Sequence, residues 1–157
     1  MSSPPQLRPV DLRPASKLAV EAFRSWIEEG PDVASLLVLR VEGVYGHGSL
    51  GNPDARFLLA ALGAARALES PDAILVDLER VDYGWGDALL MLWNVVESIE
   101  PPLHLHVVGG PRSHPALSSL LGPSAGRLLH ASFEAGLAAV SALALARARE
   151  VDARDRA

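Results

Sequence analysis

The chain has 157 residues, 14 Lys and Arg against 19 Asp and Glu, and no cysteine. That length suits one domain with its own hydrophobic core, and the lack of Cys excludes disulfides, thiol catalysis and zinc–thiolate sites. A net charge of −5 with scattered arginines argues against nucleic acid, no apolar run reaches the roughly 18 residues of a membrane span, and "MSSPPQLRPVDLRPASK" lacks the order of a secretory signal, so the expected location is the cytoplasm.

Residues 1–14 hold four prolines and read as a flexible arm ahead of a single domain over 15–150. In the next segment Ala19, Ala22, Phe23, Trp26 and Ile27 recur at helical spacing and stop at Gly30-Pro31, which predicts a helix. Its shorter piece Phe23 to Glu28 also reads as an edge strand. "SLLVLRVEGVYG" (Ser35 to Gly46) is a strand by its aliphatic and β-branched content. A glycine-rich loop follows, then a helix with Asn52 as N-cap, Pro53 at its first position and Phe57, Leu58, Ala61, Leu62, Ala65 and Leu68 on one face.

Ala73 to Leu78 is apolar except for Asp77, as in a strand covered on both faces. The loop Gly84-Trp85-Gly86-Asp87 leads into a predicted helix Ala88 to Ile99. Leu103 to Val108 is a strand ending at Gly109-Gly110, Pro115 to Leu121 a short helix with Ser113 as N-cap, and Arg127 to His130 a short strand. Ser132 caps the last helix, "FEAGLAAVSALALARARE", and Val151 to Ala157 form a charged tail. Strands alternating with helices predict a single layered α/β domain, its mainly parallel sheet flanked by helices.

Individual residues carry competing readings. Trp85 either covers the following helix or stands out as an aromatic anchor for a partner. Asp87 is an N-cap, a phosphate-mimicking contact or a catalytic carboxylate. His104 and His106 share one strand face at a metal-ligand spacing, but no third or fourth ligand lies nearby, so no metal is assigned. His47 sits in "YGHGSLGN", which is neither a P-loop nor a dinucleotide fingerprint, so no cofactor is assigned. It and the Gly84–Asp87 loop should meet outside the carboxyl ends of the strands. Arg112, with Ser113 and His114, should reach the same rim. The Asp54/Arg56 and Arg147/Arg149/Glu150 charges read as solvated helix faces. Leu137, Val140, Leu143 and Leu145 offer apolar surface through which the last helix could form a homodimer.

The order of elements, with "LLVLRVEG", "ILVDLERVDYGWGDALLML" and "LHVVGGPRSHPALSSLLGPSAGRLLHASFEAGLAAV", resembles the STAS family of sulfate transporters and anti-sigma-factor antagonists, over roughly residues 35–145. "DLERVDY" matches that family's central strand, D-L-S-x-V-x-[FY]. The family's switch loop reads Asp-Ser-Ser-Gly, its second Ser or Thr accepting a phosphate. Counted forward from Asp77-Leu78, that loop falls on Trp85, Gly86, Asp87 and Ala88. No hydroxyl is left, and the phospho-acceptor position is Asp87, which carries one charge where a phosphoserine carries nearly two.

The resemblance implies a non-catalytic regulatory or scaffolding protein of a bacterial-type cytoplasm, STAS-like and locked in one state. It would bind a kinase-like anti-sigma factor or related regulator through Gly84, Trp85, Gly86, Asp87, His47 and Arg112, without membrane or nucleic acid. The chain also resembles the Clp protease/crotonase superfamily in its glycine loops, which would imply an enzyme or pseudoenzyme binding an acyl group.

Overall fold

The computed structural model describes residues 16–156, so the proline-bearing arm lies outside the described residues. Five strands form one sheet in the order β1-β2-β3-β4-β5: β1 Ala19–Glu29, β2 Asp32–Val44, β3 Ala73–Asp82, β4 His104–Gly109 and β5 Leu129–His130. β1 pairs antiparallel with β2, and every later pairing is parallel. Crossover helices make this a layered α/β domain, as the sequence predicts.

The segment expected to be helical is the edge strand β1. Gly30-Pro31 is a two-residue hairpin turn between the paired Glu29 and Asp32, and Gly30 has the positive φ of 62° that such turns give to glycine. Phe23, Trp26, Ile27 and Val20 suit a pleated surface as well as a helix. The eleven-residue ladder offered by β2 decides between them.

β2 shows why both faces of the sheet must be covered. Ala34, Leu36 and Val38 point one way and join Ala73, Leu75 and Val108 beneath Val140, Ala144 and Leu145. Those last three belong to α5, Phe133–Asp155, which crosses this face alone. Leu37, Leu39 and Val41 point the other way and join Ile74, Val76 and Leu78. Against them pack Ala55, Leu58 and Leu62 of α1 (Asn52–Glu69), Leu92 of α2 (Met91–Asn94), Leu117 of α3 (His114–Leu121) and Leu128 of α4 (Ala125–Leu128). Asp77, the polar break in β3, is buried opposite Arg40 and accepts from its Nε at 3.3 Å.

Several boundaries differ from expectation. Gly51, not Asn52, occupies the N-cap of α1. Ala88 to Ile99 is a 3-10 turn Asp87–Leu90, the single turn α2, then irregular turns. Trp93, Val95, Val96 and Ile99 lose side-chain freedom in a helix, and this segment is placed by packing instead. α5 continues to Asp155, through most of the charged tail. Ser132 caps it as predicted, its Oγ accepting from Ala135 N. Of the charges read as solvated, Asp54 is buried, and Arg147 is mostly buried against Asp72 at 3.1 Å. No described helix is long and apolar enough to cross a membrane.

Candidate functional site

β2 and β3 are each followed by the same four-residue pattern, Tyr45-Gly46-His47-Gly48 and Tyr83-Gly84-Trp85-Gly86. Because the strands are parallel neighbours, the two loops run side by side. Tyr45 N donates to Asp82 O at 3.0 Å, and Gly48 N donates to Trp85 O at 3.1 Å. Tyr45 and Tyr83 meet edge to face at 5.1 Å, and His47 and Trp85 meet at 5.6 Å. The tyrosines point into the core while His47 and Trp85 are exposed above them. This repeated pattern is the signal in the sequence for pairing the two loops.

The base of the site is rigid. Tyr83 Oη donates to Gly86 O at 2.7 Å, and Tyr83 N donates to Arg112 O at 3.3 Å, which ties in the third loop. Burial, then the Asp87 charge, pushes the Tyr83 phenol up to about 12. Burial, then Tyr83 and Asp54, raises that of Tyr45 as well. Both phenols therefore stay protonated at neutral pH, although only that of Tyr83 has a hydrogen-bond partner. Asp54 holds the first loop from beneath, accepting from Gly46 N at 2.8 Å and Ser16 Oγ at 2.6 Å. A Cβ on Gly48 would lie 2.5 Å from Trp85 Cζ3, so the indole rests directly on the backbone of the neighbouring loop.

On that base Trp85 is 56% exposed. It stands beside a depression of about 220 Å³, lined by Tyr83, Trp85, Asp87, Leu90, Ser119 and Leu120 among others. Asp87 is exposed in the first 3-10 turn while Gly86 takes the N-cap, so Asp87 is not the cap the sequence suggested. Arg112 reaches the same end of the sheet, its guanidinium 3.8 Å from Asp82. His47, Gly84, Trp85, Gly86, Asp87 and Arg112 thus lie on three adjoining loops. Tyr45, Tyr83, Gly48, Asp54 and the α3 residues Ser119 and Leu120 complete the site and were missed.

The acyl-binding reading has no support in this geometry. Gly110 is packed against the Glu79 backbone, where a Cβ would lie 2.2 Å from Glu79 O, so no open cradle faces a ligand. Ser113 is fully buried; its Oγ accepts from Gly110 N at 2.9 Å and donates to Leu78 O at 3.1 Å. It pins the β3 and β4 loops and does not cap α3 with its side chain.

His104 and His106 lie on the α5 side of β4. Nδ1 of His106 meets Nε2 of His130 at 2.9 Å, the rings stacked. Burial foremost, then His130, His104 and Arg127, lowers His106 to about 4. Burial also lowers His104, helped by Arg127 and Arg147, and lowers His130. His106 is buried and His130 half-buried, both favoured in the neutral form, and no group of three or more metal-capable side chains occurs among the described residues.

No family model and no curated protein matches the chain. Among solved structures it is similar to an anti-sigma factor antagonist from Mycobacterium paratuberculosis, with 23% identity, 76% of this chain and 94% of that one covered, and a TM-score of 0.52. It is also similar to the anti-sigma factor antagonist SpoIIAA in its unphosphorylated form, with 15% identity, 76% and 97% covered, and a TM-score of 0.46. The likeness to the first is one of fold: the chain has the STAS-like fold that its sequence resembles.

Proposed function

We propose that the protein is a non-catalytic regulator that binds a protein partner through the Gly84–Asp87 loop, His47 and Arg112, in the manner of an anti-sigma factor antagonist. The observation that carries this reading is Trp85, a large aromatic group held more than half exposed on a hydrogen-bonded base. Exposed aromatic anchors on rigid supports are the residues that dominate protein interfaces. Asp87, two residues on, takes the position of the acceptor hydroxyl in the STAS switch loop and gives it a permanent single charge. The partner it suits is a kinase-like anti-sigma factor or a related regulator, and the missing hydroxyl holds the protein in one switching state.

The test is capture from a native lysate with the wild type and with the Trp85→Ala/Asp87→Lys variant. Retained proteins are identified by mass, and the purified partner is then titrated calorimetrically. A kinase-like or sigma-regulatory protein held by the wild type and lost by the variant is the expected result. Equal affinity of both forms for every captured protein would sink the reading.

A further inference from the structure

The two edges of the sheet are unequal. β5 is two residues long, whereas β1 runs for eleven, and nine of those residues are exposed. No described segment covers its outer edge, which leaves a row of backbone N–H and C=O groups free to pair. Two aromatic side chains stand on it, Phe23 at 43% and Trp26 at 57% exposure. The last helix, by contrast, buries Val140 and Leu145 against the sheet, so the apolar surface expected there is largely used within the chain.

Charge complementarity identifies the occupant. In a twofold antiparallel pairing one residue of the strand faces its own copy, and every other pair lies symmetrically about it. With Trp26 on the axis, Arg24 faces Glu28 of the second copy at both ends, and the two indoles meet between these ion pairs. Arg24 is already stacked 3.9 Å over Trp26, so the cation is in place beside the axis. An axis at Ser25 sets Glu21 against Glu29, an axis at Arg24 sets the guanidinium against its copy, and an axis at Ile27 faces Trp26 with Glu28 and forms no ion pair. We propose that the protein forms a twofold dimer by pairing β1 with β1 of a second copy in the register centred on Trp26, joining the two sheets into one of ten strands.

The experiment is sedimentation of the full chain over a concentration series, with Arg24→Glu, Glu28→Arg and the double swap. Circular dichroism confirms that each variant is folded, and Glu69→Gln controls for the intrachain Arg24–Glu69 pair at 2.8 Å. Each single swap should weaken the dimer by about tenfold or more, since two favourable cross-strand pairs become two repulsive ones. The double swap should restore it to within about threefold of the wild type. A wild type that stays monomeric up to about 1 mM overturns the proposal, as does a dimer that ignores the single swaps or is not recovered by the double.

Discussion

Tyr83 Oη donates to the carbonyl of Gly86 at 2.7 Å, so the side chain that follows β3 closes the loop whose tip is Trp85. Strand, loop and exposed indole are thereby one rigid unit. Tyr83→Phe keeps the ring and its edge-to-face contact with Tyr45 but leaves the Gly86 carbonyl without this donor. The expected cost is about 1–2 kcal/mol in urea denaturation, with a matching loss of partner affinity as the loop loosens. An unchanged denaturation midpoint would show that the bond contributes nothing.

Gly48 and Trp85 should be energetically coupled. Gly48 has φ +59°, and an added methyl would meet the indole at 2.5 Å. Gly48→Ala should therefore cost about 2–4 kcal/mol, of which about 1–2 is backbone strain and the rest the clash. In a Trp85→Ala background only the strain should remain. A double-mutant cycle by chemical denaturation reads the difference, and additive effects would mean that the two loops do not press on each other.

Buried His106 makes stability fall in mild acid. His106 titrates near 4 in the folded protein against an ordinary 6.5, so below 6.5 the unfolded chain binds the extra proton first. Stability from this source is fully present above about pH 6.5, declines as pH falls towards 4, and then levels off. The loss is on the order of 2 kcal/mol once partial solvation of the site is allowed for. Denaturant midpoints at a series of pH values should show this slope, and His106→Gln should flatten it. A wild type and variant with parallel profiles would remove His106 from the account.

Asp87→Ser restores a hydroxyl at the acceptor position. If Asp87 sets the switching state, this variant should shift partner affinity by about tenfold while Arg154→Ala, on a solvated turn of α5, shifts it by less than about twofold. Calorimetry against the captured partner compares them. Phosphate incorporation by a kinase-like partner into the serine variant alone would identify the loop as a switch position.

The edge strand and the twin loops show where one-dimensional pattern stops being informative. Ala22, Phe23, Trp26 and Ile27 satisfy helical spacing, yet β1 gains a full antiparallel ladder on β2 that no local signal announces. Asp54 and Arg147 look like ordinary surface charges beside their sequence neighbours, and distant partners, Ser16 and Asp72, meet them in the fold. The alternation of apolar strands with helices, in contrast, was legible because a parallel sheet covered on both faces demands continuous apolar runs.

The sequence alone determined the layered α/β class, the central β3 segment, the cap at Ser132 and the loop at Gly84–Asp87, because these depend on local composition and periodicity. Tertiary structure alone decided that the Tyr-Gly-His-Gly and Tyr-Gly-Trp-Gly loops brace each other, that Ser113 ties strands together, and that β1 is the long edge strand which no described segment covers. Those relationships join residues tens of positions apart, and parallel pairing with its register is what brings them into contact.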